Sequence, residues 1–89
     1  LQTFPLDVYS EKGASYDIIL HFIDPDSKGR RCAFEIFDLE NFELLAPAQI
    51  VDNIQTGKLV RFRVDRPVRI RINQVRGPNA ALAGIYFHQ

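Results

Sequence analysis

In three segments of this chain, Tyr16 to Asp24, Leu59 to Val64 and Val68 to Val75, apolar residues recur at every second position. A strand satisfies that period and a helix does not, so the chain is confined to β architectures. Tyr16, Ile18, Leu20 and Phe22 share one face, while Ile19 and Ile23 make the other face partly apolar, as in a central strand. Arg31 to Leu39 alternates again, with Cys32, Phe34 and Ile36 on one side. Phe4 to Tyr9 reads as a first strand, Phe42 to Leu45 as a short one before Pro47, and Ala80 to Phe87 as the last. Ala48 to Ile54 fits either a strand or one helical turn. Gly84 marks a bulge or a close backbone approach in the final strand. Turn residues punctuate the chain at Ser10–Gly13, Asp24–Gly29, Gln55–Lys58 and Arg76–Asn79. Six or seven short strands in 89 residues predict a single all-β domain, 1–89, built as a small antiparallel β-sandwich or barrel.

Charge is distributed unevenly along this pattern. Residues 1–56 carry ten acids against four bases, and residues 57–89 carry seven bases against Asp65 alone, so the halves have net charges of −6 and +6. Leu59 to Val75 reads as a hairpin whose register follows from parity, because apolar positions must meet apolar ones. Pairing Val64 with Val68, Phe62 with Ile70 and Val60 with Ile72 leaves Asp65-Arg66-Pro67 as the loop. The same register sets Arg63 beside Arg69 and Arg61 beside Arg71. Like charges placed opposite each other are destabilising, so such rows need counter-charge. Acids of an adjacent strand (Glu35, Asp17 or Asp38) would make a surface ladder, an acidic ligand would make a binding site, and a partner domain would make an interface.

The remaining chemistry-bearing residues read as structural. Cys32 stands alone in an alternating strand, which excludes an internal disulfide and a multi-cysteine zinc site and predicts a buried thiol. Asp24 to Glu35 matches a calcium-loop pattern at four positions, but Lys28 occupies a ligand position and the flanks alternate as strands, so a β-turn is expected. His21 and His88 lack metal-pair spacing. Thr3, Ser10 and Ser15 lie outside any nucleophile-elbow context. No catalytic residue, metal or cofactor is assigned, and the chain is read as a non-enzyme. There is no tryptophan. Phe4, Phe22, Phe34, Phe37, Phe62 and Phe87 read as core, with Tyr9, Tyr16, Tyr86 and Phe42 as candidates for exposure. Zero net charge and the lack of aromatics among the arginines disfavour an oligonucleotide-binding barrel. No apolar run reaches the ~18–20 residues that span a bilayer. The chain contains no methionine and no signal-peptide pattern, so it is expected to be part of a larger polypeptide.

Two stretches, YDIILHFIDPDSKGRRCAFEIFD and VRFRVDRPVRIRINQVRGPNAALAGIYF, together resemble the jelly-roll modules of the galactose-binding-like superfamily. The nearest are accessory modules of secreted bacterial glycan-acting proteins; malectin-type domains are a looser match. The matching residues are Tyr16, Leu20, Phe22, Asp24, Arg30 and Arg31, then Asn79, Ala80, Leu82, Gly84, Ile85 and Phe87. These are scaffold positions, and the two stretches take in 51 of the 89 residues. The resemblance implies a secreted or periplasmic, non-catalytic module that binds carbohydrate or packs against other domains of its parent. The expected ligand-binding residues are Arg61, Arg63, Arg69 and Arg71, facing an acidic saccharide, with Asn79 and Asp26 in the loops. The rival expectation is a purely structural or protein-interaction domain whose arginines are neutralised internally.

Overall fold

Alternation resolves into two layers. The computed structural model describes residues 3–11, 13–77 and 81–89. The chain forms strands β1 (Thr3–Val8), β2 (Tyr16–Phe22), β3 (Arg31–Asp38), β4 (Leu44–Val51), β5 (Lys58–Val64), β6 (Val68–Arg76) and β7 (Leu82–His88). One sheet has the order β1-β6-β3-β4, the other β5-β2-β7. Every pairing is antiparallel. The protein is an all-β antiparallel sandwich.

Period-2 patterning decides what fills the space between the layers. Ile18, Leu20 and Phe22 of β2 are fully buried and meet Phe34 and Ile36 of β3 and Val68, Ile70 and Ile72 of β6. Each such side chain contributes ~1.5–3 kcal/mol on burial. Phe34 stacks between Phe22 and Phe62, with ring centroids 6.2 and 6.1 Å away. Pro5 and Pro47 both fall on edge strands, β1 and β4, where a missing N–H costs no ladder bond.

The expected β5–β6 hairpin does not form. β5 pairs with β2, while β6 lies between β1 and β3 in the opposite sheet. Asp65-Arg66-Pro67 therefore crosses from one layer to the other. Parity could not separate the two cases. Val60, Phe62 and Val64 do share a side with Val68, Ile70 and Ile72, but across the core rather than along one sheet. Arg61 and Arg71 are consequently not neighbours, and neither are Arg63 and Arg69.

Four further expectations are corrected. Phe42 is not in a strand; it closes the β3–β4 turn with φ +59°, and β4 runs from Leu44 through Pro47 to Val51. Tyr16 is buried rather than exposed. Phe87 points inward but lies at the end of an edge strand, which leaves it 56% exposed. Phe37, also expected in the core, lies half-buried beside Arg69 in the sheet register.

Candidate functional site

The outer face of the three-stranded sheet is written by β2. Its register sets Asp17 between Arg63 and His88, Ile19 between Arg61 and Tyr86, and His21 between Leu59 and Gly84. Asp17 accepts a hydrogen bond from Arg63 Nη1 at 3.0 Å and faces Arg61 Nε at 3.6 Å. One carboxylate thus serves two guanidiniums, and the trio keeps a net charge of +1. Arg61 is the looser partner, with its side chain 60% exposed. Tyr86 does not stand away from the sheet. Its Oη lies 2.9 Å, and its Cζ 3.1 Å, from where a Cβ on Gly84 would be, so the ring runs back along β7 over the glycine. His21 is tucked in similarly, its Nε2 3.1 Å from the Cβ position of Gly57. A half-exposed aromatic ring lying along a strand, with a guanidinium two strands away, is a surface on which a flat ring can stack.

The outer face of the four-stranded sheet differs in its charge balance. Arg69 donates from Nε and Nη2 to the two oxygens of Asp7, at 2.7 and 2.9 Å. Arg71 donates twice to Glu35 Oε1, at 2.9 and 2.6 Å, and Asn73 adds a third bond at 3.2 Å. The Arg69 hydrogen bond holds the Asp7 carboxyl below its usual value, and Arg71 does the same for Glu35. The guanidiniums also stack, Arg69 on Phe42 and Arg71 on Phe37, each 5.1 Å from the ring centroid. Thr3, Pro5 and these four residues line a shallow recess of about 360 Å³. Each cation here has its own anion, so the recess carries no excess charge.

At one end of the sandwich the β2–β3 loop closes on Asp24. This carboxylate is buried and accepts from the N–H groups of Lys28, Gly29 and Arg30 at 3.1, 3.0 and 3.2 Å, and from Arg30 Nη1 at 2.7 Å. Burial opposes its ionisation, but these donors outweigh it and hold the carboxyl below its usual value. Arg30 also pairs with Asp26. Asp24 and Asp26 are thereby engaged by a cation and by turn amides, and among the described residues no group of three or more acidic, histidine or cysteine side chains could hold a metal ion. A second turn is organised the same way: Asp38 accepts from Glu40 N, Asn41 N and Arg66 Nη1 at 2.8, 3.3 and 3.2 Å.

The four arginines expected to form one site are thus divided between opposite faces, two on each. Asp26 lies apart from both, in the end loop, and Asn79 lies outside the described residues. The expectation that Glu35 and Asp17 would interleave with arginines matches the structure, whereas Asp38 pairs with Arg66 in the inter-sheet crossing instead. Two participants escaped the sequence reading. Asp7 takes Arg69 because β1 reaches β6 only through long-range pairing. Phe42 covers Arg69 because of a left-handed turn residue. The glycine-x-tyrosine spacing at 84–86 is the one local signal for a ring lying along its strand.

No family model matches the sequence, and no curated protein does. Among solved structures, the chain is similar to the native structure of a family 35 carbohydrate binding module from Clostridium thermocellum. The TM-score is 0.55 at 11% sequence identity, covering 96% of this chain and 67% of that one. At that identity the likeness is one of fold.

Proposed function

We propose that this domain is a non-catalytic carbohydrate-binding module whose ligand stacks on Tyr86 and places an acidic group at Arg61. The observation that carries this reading is the pose of Tyr86, laid along β7 over Gly84 and half exposed. The +1 excess around Asp17 supports an acidic rather than a neutral saccharide, and it selects this face over the neutral recess opposite. Adjacent strands lie about 4.8 Å apart, so β5 and β7 are ~10 Å apart, a distance one sugar ring and its carboxylate or sulfate can bridge. The fold likeness to a carbohydrate binding module is consistent with this use. Attachment to a glycan-acting parent, and a secreted or periplasmic bacterial setting, belong to the same proposal.

A second reading has its own observation. Arg63, Arg69 and Arg71 all hold carboxylates within hydrogen-bond distance, as a purely structural ladder requires. A glycan array at low salt and again at ~0.5 M salt, where exposed charge pairs are screened, separates the two. Salt-sensitive binding to uronate or sulfated glycans, lost in Tyr86→Ala and in Arg61→Ser, supports the site. Silence of the folded domain across the array leaves the ladder as the reading.

A further inference from the structure

A β-sandwich has four edge strands, and an unguarded edge is a template for another strand. Three edges here carry guards. β1 has Pro5 and Asp7; β4 has Pro47 and two register shifts; β5 has Lys58, Arg61 and Arg63. β7 has none. From Leu82 to Phe87 it contains no proline and no charge, and its one irregularity lies near its start, opposite His21 and Phe22. Gly84 to His88 is left as a neutral edge in unbroken register, with Tyr86 53% and Phe87 56% exposed.

The layer beneath shows where another strand would lie. The four-stranded sheet is one strand wider than its partner. The inward residues of β1, Phe4, Leu6 and Val8, are only half-buried. A recess of about 430 Å³ opens between Val8 and Tyr9 on one side and Tyr16 and Phe87 on the other. A fourth strand beside β7 would extend the narrower sheet over this seam.

We infer that β7 pairs with β7 of a second copy, antiparallel, about a two-fold axis passing through Tyr86. The segment is complementary to itself in that register. Gly84 meets His88 of the other copy, Ile85 meets Phe87, and Tyr86 meets Tyr86. Antiparallel pairing keeps parity, so both Ile85–Phe87 pairs face the core side and cover the seam, while the tyrosines meet on the outer face. No charge opposes itself anywhere along the five positions. The result is a six-stranded sheet of order β5-β2-β7-β7-β2-β5. It does not depend on the saccharide reading.

Sedimentation velocity from ~10 μM to ~1 mM spans the range in which so small an interface titrates. The expected mass rises toward twice 10.2 kDa with concentration. Tyr86→Lys and Tyr86→Glu each place like charges on the axis and are expected to be monomeric with folded circular dichroism spectra. Mixing the two is expected to restore the dimer, since lysine then faces glutamate. A wild-type domain monomeric at ~1 mM overturns the inference, and so does a dimer that neither variant disturbs.

Discussion

The hydroxyl of Tyr86 lies 2.9 Å from the place where a side chain on Gly84 would begin, so the pose of the one depends on the bareness of the other. Gly84 has no positive φ, and its role is to leave room.

Gly84→Ala should therefore separate binding from stability. The new methyl meets the far end of a flexible ring at 2.9 Å, so the ring swings away rather than the backbone. The melting temperature is expected to stay within a few degrees, corresponding to ~0.5 kcal/mol. Affinity for an acidic glycan should fall roughly tenfold, in keeping with a stacking contribution of ~1 kcal/mol or more. Calorimetry on the wild type and the variant reads both.

Arg61→Ser and Arg71→Ser should behave oppositely. Arg71 is tied to Glu35 and stacked on Phe37, so its loss should cost ~0.5–1 kcal/mol in urea denaturation and leave glycan binding intact. Arg61 makes only a 3.6 Å contact with a carboxylate it shares, so its loss should leave stability unchanged and abolish the salt-sensitive part of binding.

Asp24→Asn should be the most damaging single-atom change in the loops. Four donors converge on the carboxylate, and an amide would turn one acceptor into a fifth donor. The melting temperature is expected to drop by roughly 10 °C or more, measured by thermal denaturation at neutral pH.

Acid should act through several carboxylates together. Hydrogen bonds from Arg69 to Asp7, from Arg71 to Glu35 and from the Glu40 amide to Asp38 each hold the folded carboxyl below its unfolded value. A group depressed in this way contributes stability above its unfolded pKa and loses it as pH falls through the folded one. The urea midpoint should be flat from pH ~7 to ~5 and then fall steadily below pH ~4. A midpoint unchanged down to pH ~2 would contradict these pairings.

Cys32 should be silent in the native domain. It is fully buried, burial pushes its thiol up, and its Sγ accepts from Ala81 N at 3.1 Å. A thiol reagent should label it only after unfolding, at the rate of global opening.

Much of this was legible in the sequence, and the reason differs from element to element. β2 and β3 could be read because both bury one face of a strict period. Tyr86 reads as exposed and is so. The bulge or close backbone approach expected at Gly84 resolves into a register shift just before it and an approach by the Tyr86 ring rather than by backbone. Partners could not be read, because alternation tells which way a side chain points and not which strand lies beside it. That ambiguity turned two facing strands, β5 and β6, into an apparent hairpin and gathered four arginines that lie on opposite faces. Phe42 was lost for a different reason: its left-handed φ arises from the cage around Asp38, and nothing local to phenylalanine announces it.

Only β3 and β4 are consecutive strands of one sheet; every other described connection carries the chain across to the opposite layer. Such wiring leaves a single local hairpin from which to begin. β1 must wait for β6, and β2 must wait for both β5 and β7, so contact order is high and the closing of long loops precedes nearly all the gain. Folding on the millisecond-to-second scale follows for a barrier of this kind. A nascent chain would hold little durable structure until Leu82–His88 has emerged, since only then can the sheet built on β2 be completed.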